Sequence, residues 1–495
     1  MRVGIISLCL AGTLQVFAAT PKVDSIFPAG GQRGSEFDVT IAGNLEPWPL
    51  VVHCGEPRIR FAPDGEKQGK FRVSIDVGVD PGAYLLWFMN DDGVTAPRQF
   101  VVGEDPERSE DGADALTIPA SELPLTLNGK LESAGEVDRF LIELDAGQSL
   151  VASVVAYAID SPLDPLLHLR GPAGERLAFN HDATRLGLDP RLVFTAPAHG
   201  QYELLLSAFA HPPQANIRFA GGATSIYRLS LGHGVPAIDL PPPMEAAGEE
   251  LQQVAIPSAL SGRIDPPGDV DRFEFAAKKG DLLKLGVHGA QLGSWMDPLL
   301  VIEDSTGKEL ARHDDIDSKT QPDAALDWTA PGDGNYVARV TDLNGAGGSE
   351  IAYRFSIARA GPGFSGSAAT GVFAVRAGEK LELAVSAARQ HGYTGELELG
   401  IDGLPAAVTA APAAVPEKGG EVKLSIEAGA DAAPGHAPIS IWVAKKGAAP
   451  EERVPCQFVL KGAFADAGDL LVNQTERGWL SILEKADEPT KVDGK

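Results

Sequence analysis

Two aspartates stand where their charge needs explaining. In Asp138-Arg139-Phe140-Leu141-Ile142-Glu143-Leu144, Asp138 shares the parity of Phe140, Ile142 and Leu144. In an extended strand these four side chains face one side. Asp271 stands the same way before Phe273 and Phe275. A lone carboxylate on an apolar face is costly, so each Asp requires a partner. Backbone N–H groups, an arginine or a calcium ion would each serve, because hard cations take oxygen ligands. A second acidic run, His313-Asp314-Asp315-Ile316-Asp317, contains Asp-x-Asp. It fails as an EF-hand: Thr320 stands where Gly is required and Leu326 where Glu is required, which leaves a solvated turn.

Other chemistry finds little support. No Gly-x-Ser-x-Gly, His-Glu-x-x-His, Walker loop or dinucleotide-binding glycine motif stands in a suitable context. The ten His residues are scattered. A Ser, His and Asp could still meet in space, since triad order is not fixed, and a hydrolase or its remnant is the rival reading. Of the six Trp, Trp87, Trp328 and Trp442 lie in apolar strands and are expected in cores. Trp48, among prolines, and Trp295, before Asp297, are the expected ligand-binding anchors, with simple loop packing as the alternative.

The elements that must position these residues are strands. Phe37-Asp38-Val39-Thr40-Ile41, Phe71 to Ile75 and Leu381 to Val385 alternate apolar with polar, the period of half-buried strands. Gly and Pro, 56 and 37 residues, punctuate the chain at short intervals, and no long helical period intervenes. The expected fold class is all-β: four β-sandwich domains in series, the central two jelly-roll-like duplicates.

An internal repeat supports the duplication. Gly135-Glu136-Val137-Asp138-Arg139-Phe140 returns as Gly268-Asp269-Val270-Asp271-Arg272-Phe273, and Asp164-Pro165-Leu166-Leu167 as Asp297-Pro298-Leu299-Leu300, both 133 positions on. Gly147 and Gly174 match Gly280 and Gly307. Thr195-Ala196-Pro197 returns as Thr329-Ala330-Pro331, each followed by Gly-x-Tyr. Each copy closes on Tyr-Arg-x-Ser, at Tyr227 and Tyr353, with a longer late loop in copy one. The expected division is a signal peptide at 1–19, a sandwich at 20–103, the copies at 104–235 and 236–360, a sandwich at 361–462 and a polar tail at 463–495.

Charge and targeting bound the function. A net charge of −26 repels phosphates and argues against nucleic acid. Arg2, the apolar run Val3 to Leu14 and Ala18-Ala19 have the layout of a secretory signal. That run is too short to span a bilayer, so an exported, periplasmic or extracellular product without a membrane span is expected. The mature chain keeps only Cys54 and Cys456, about 400 residues apart, so no disulfide framework is expected.

The repeated series Gly-Asp-Val-Asp-Arg-Phe, Asp-Pro-Leu-Leu and Thr-Ala-Pro with Gly-x-Tyr resembles the bacterial pre-peptidase C-terminal domain. The resemblance covers about 110–235 and 245–360. It implies a jelly-roll-like sandwich in an exported protein, often beside a secreted peptidase. Residues 22–103, opening Ser25-Ile26-Phe27-Pro28-Ala29-Gly30-Gly31, and 363–462, with Gly403-Leu404-Pro405, resemble immunoglobulin-like domains. In related modules, acids of the preceding linker share calcium with an Asp before the strand. The resemblance therefore implies Glu104, Asp105, Glu107 and Asp138 as a calcium set in copy one, and Asp271 in copy two. Copy two offers Glu245, Glu249 and Glu250 at a spacing that does not match. The expectation is a non-catalytic binding or scaffold protein that presents its modules to a polysaccharide, a protein or an exported enzyme.

Overall fold

The computed structural model describes residues 20–485 except 111, 113, 184–185, 213–217, 234–239, 247–250, 290–291, 293 and 317–322. The signal expected at 1–19 lies outside the described residues. Among the described residues the fold is all-β, with eight sheets in four successive pairs. Each pair closes over one hydrophobic core drawn from both of its sheets. The period-two runs are the reason. Phe71, Val73 and Ile75 are buried while Arg72 faces water, and Leu383 and Val385 are buried between exposed residues.

The two copies share one strand order. In copy one, Leu125–Lys130, Ile226–Gly232, Ser149–Val155 and Arg191–Thr195 lie side by side in that order, with Glu107–Ser109 added at the edge. The facing sheet runs Leu116–Ile118, Asp138–Leu144, Gly200–Ala210, Leu163–Arg170, Arg176–Asn180. Copy two repeats this as Ser258–Arg263, Ala352–Arg359, Leu282–His288, Ala324–Thr329 against Gln252–Gln253, Asp271–Ala277, Gly334–Asp342, Pro298–Asp304, Glu309–His313. The register repeats too: Phe140 pairs with Leu204 and Phe273 with Ala338, and both Phe are 1% exposed.

Each motif of the repeat has a structural task. Gly147 and Gly280 take positive φ, +80° and +84°, and donate their N–H to Ala196 and Ala330 of the Thr-Ala-Pro motifs. In each Gly-x-Tyr the phenol donates to a carbonyl four residues back, Tyr202 to Ala198 at 2.7 Å and Tyr336 to Gly332 at 2.8 Å. These bonds pin the turn into the long strand.

The end of the chain corrects one expectation. Residues 463–495 are not simply a polar tail. Gly478–Leu483 sits between Val372–Arg376 and Gly435–Lys445 in the last pair of sheets, and Gln474–Thr475 extends the facing sheet. Trp479, Leu480 and Ile482 are buried there, so the apolar run Trp479-Leu480-Ser481-Ile482-Leu483 is a strand.

The first and last sheet pairs meet each other and copy one. In the strand Gly82–Asn90, Leu86 and Phe88 fill the first core, while Leu85, Trp87 and Met89 pack with Tyr157 of copy one and Leu460, Leu470 and Trp479 of the last pair. Both faces of this strand are buried, which explains its unbroken apolar run from Tyr84 to Met89.

Candidate functional site

Asp138 and Asp271 find the same partners. The phenol of Tyr227 meets Asp138 Oδ2 at 2.5 Å and a Glu110 oxygen at 3.0 Å. In copy two, Tyr353 meets Asp271 Oδ2 at 2.6 Å and Glu245 Oε2 at 2.9 Å. The second oxygen of each Glu accepts a backbone N–H, from Lys130 at 2.5 Å and from Arg263 at 2.9 Å. Each copy thus encloses two carboxyls and a phenol behind the start of its first long strand. Gly129 and Gly262 make the room: a Cβ on either would collide with the tyrosine ring. Burial pushes Asp138 up to about 6, and Glu110 and Asp271 up to about 7; the neighbouring carboxylate adds to the rise for Glu110 and Asp271. Two adjacent acids cannot both ionise cheaply, so the cluster retains a proton.

The linker acids expected beside Asp138 go elsewhere. Glu107 grips Arg228 at 2.7 Å, and Arg228 also donates to Asn128 at 2.9 Å. Tyr227 and Arg228 are consecutive in one strand and point to opposite faces of the sheet. Glu107 and Asp138 therefore lie on opposite sides of it. Glu104 pairs with Arg33 at 2.6 Å. Asp105 is half-buried, and burial raises its pKa. Glu104, Asp105, Glu107 and Asp138 do not form one set of ligands, because guanidinium groups neutralise two of them. Among the described residues, Glu110, Asp138 and the Tyr227 phenol meet at this point, and Glu104 and Glu107 do not join them.

Glu110 was not among the expected residues, yet it is the functional equivalent of Glu245. Each donates its own N–H to a matching carbonyl, Asn128 and Ser261. Among the described residues of copy two, Arg354 donates instead to the Pro241 carbonyl and to Ser261 Oγ, at 2.9 and 2.8 Å.

A second buried pair of acids was also unexpected. Asp189 is 1% exposed and accepts the N–H groups of Ala156, Tyr157 and Ala158. Burial pushes it up to about 7, although those three donors pull the other way. Asp323 does the same work in copy two for the N–H of Gly289 at 2.8 Å.

The expected tryptophan anchors are taken up by packing. Trp48 is half-buried, with its ring edge-on to Phe71 at 5.3 Å in the first core. Trp295 is half-buried against the core of copy two and lies 3.0 Å from the Arg191 guanidinium of copy one, a cation–π contact between the copies. Trp87, Trp328 and Trp442 are buried, but Trp87 packs between sheet pairs, 6.4 Å from Trp479.

Copy one is held by a further clasp. Asp160, 5% exposed, pairs with Arg98 of the first sheet pair at 2.6 Å. It also accepts the N–H groups of Ala463, Phe464 and Ala465 from the last segment. Beside this junction a cleft of about 810 Å³ opens between the first and last sheet pairs. Tyr84, Trp87, Gln457, Gln474 and Arg477 are among its lining residues.

No family model matches the chain. Over 79 residues it is 37% identical to a protein of Deinococcus radiodurans described as a probable subtilase-type serine protease; the match takes in 16% of this chain and 10% of that protein. This chain therefore spans about a tenth of that relative's length. Among solved structures it is similar to the pre-peptidase C-terminal domain of a Bacillus anthracis collagenase, at 15% identity and a TM-score of 0.18, covering 23% of this chain and 99% of that one. A Bacteroides ovatus protein solved with a mixed-linkage heptasaccharide is similar at 10% identity and a TM-score of 0.14, covering 64% of this chain and 73% of that one. Among the described residues no helix is long and apolar enough to cross a membrane.

Proposed function

We propose that this chain is an exported, non-catalytic binding or scaffold protein whose sandwiches present a cleft to a polysaccharide, a protein or an exported enzyme. The cleft between the first and last sheet pairs carries the reading. Tyr84, Trp87, Gln457, Gln474 and Arg477 all contribute to its walls. A concave surface with a few placed polar groups is the common make-up of a ligand site. The acids of each copy support the reading differently: they are spent on one another, on tyrosine and on arginine, which leaves them poorly placed for acid–base work. The protease stretch matched in Deinococcus radiodurans favours an exported peptidase as the protein partner.

The test is affinity electrophoresis of the full chain in a panel of soluble polysaccharides, with a secreted subtilase as the protein ligand in a parallel pull-down. Retention that Gln474→Ala or Tyr84→Ala weakens at least tenfold is expected. Turnover of peptide, ester or glycoside substrates by the purified chain would contradict the reading. So would binding that both cleft variants leave unchanged.

A further inference from the structure

We propose that Asp164, His181 and Asp182 of copy one hold a divalent metal ion of the zinc type on the outer face of that sandwich. Asp164 belongs to the strand Leu163–Arg170, whose Leu163, Leu167 and Leu169 point into the core, so Asp164 points outward. His181 and Asp182 follow the strand Arg176–Asn180, which pairs with it through Leu167 and Asn180. One ligand atom from each of the three residues lies within 4.8 Å of the others.

The contact inside the cluster is what points to an ion. His181 Nε2 and Asp164 Oδ1 are 2.8 Å apart and hidden from solvent, and His181 Nδ1 lies 3.4 Å from Asp182 Oδ2. Adjacent ligands of one metal stand at such separations, and a bound ion would replace this pairing with bonds to all three side chains. Phe209 stands edge-on to the imidazole at 5.5 Å and stacks on Phe219, which gives the ligand an apolar wall. The Asp182 side chain is 52% exposed, so water could complete the coordination from that side.

Copy two is a built-in control. Its corresponding residues are Asp297, Asp314 and Asp315, with no imidazole. Asp297 accepts a hydrogen bond from Asn344 at 3.0 Å, and Asp314 caps the N–H of Asp315 at 3.0 Å. One imidazole with two carboxylates suits zinc better than calcium, which takes oxygen alone.

The experiment is calorimetric titration of the chelator-treated full chain with Zn²⁺, with Co²⁺ absorption as the second readout. One ion per chain is expected, with a visible cobalt band. His181→Ala and Asp164→Asn should each weaken zinc at least tenfold. The exposed Asp182→Asn, which leaves the packing intact, should weaken it as well, and Asp314→Ala should change nothing. Absence of zinc heat and of a cobalt band would overturn the site. So would zinc binding that survives the Asp164 and His181 variants combined, or calcium at millimolar concentration displacing zinc.

Discussion

Copy one and copy two are the same sandwich put to different use. Both repeat the strand order, the Phe140 and Phe273 core positions, the tyrosine between two carboxyls and the buried Asp that holds the loop after Ser149–Val155 or Leu282–His288. What separates them lies outside the core. Copy one carries Asp160 in the loop before Asp164, where the repeat puts Gly293 in copy two. Asp160 ties copy one to both terminal sheet pairs through Arg98 and three N–H groups. Copy two reaches copy one through Arg191 on Trp295, and the last pair through His391, which meets Asp327 at 2.7 Å. A duplicated core can thus keep its internal locks while its loops decide which neighbours it holds.

The sharpest way to break this contrast is at Asp160. Asp160→Ala leaves three N–H groups buried without a partner and the Arg98 charge with the Asp24 carbonyl alone of its two acceptors. A loss of about 3–5 kcal/mol is expected from removing one member of a buried pair. Chemical denaturation should show it as earlier loss of the Trp87 and Trp479 fluorescence environment. The core should respond equally in both copies: Phe140→Ala and Phe273→Ala should each cost about 3–5 kcal/mol. A cost confined to one copy would break the equivalence. Next in size are the phenols. Tyr227→Phe and Tyr353→Phe each remove the donor between two buried carboxyls and should cost about 1–3 kcal/mol, measured by urea denaturation at fixed pH.

The pH dependence has a definite sign. Glu110, Asp138 and Asp271 hold protons in the folded chain that the unfolded chain releases near pH 4. Their contribution is fully present below that value and is lost as pH rises through about 6 to 7. Stability should therefore fall across this window, and Asp138→Asn with Asp271→Asn should flatten the slope. A rise over the same range that the Asn variants leave unchanged would contradict the shared proton.

Strand alternation and the repeated motifs made the all-β class, the core phenylalanines and the duplicated strand order legible. The parity of Asp138 with Phe140 already said that it needed a partner. Its identity was hidden because Glu110 and Glu245 are 135 positions apart, whereas the motifs around Asp138 and Asp271 repeat at 133. A two-residue slip in the linker conceals the match. Parity could still have helped: Glu107 and Glu110 differ by three, so a strand turns them to opposite faces. The unbroken run Tyr84 to Met89 likewise signalled a strand covered on both sides, but not what covered it. Asp160 gave no signal, since its partners lie 62 and about 300 residues away.

The central claim is that the acid–phenol cluster of each copy is an internal lock, closed by a shared proton. The direct measurement is the melting temperature of the full chain at pH 7 in millimolar calcium and in chelator, for the natural sequence and for Asp138→Asn with Asp271→Asn. The account predicts the same melting temperature in calcium and in chelator for both proteins. A rise with calcium that the Asn substitutions abolish would show that the cluster holds the cation, and would contradict it.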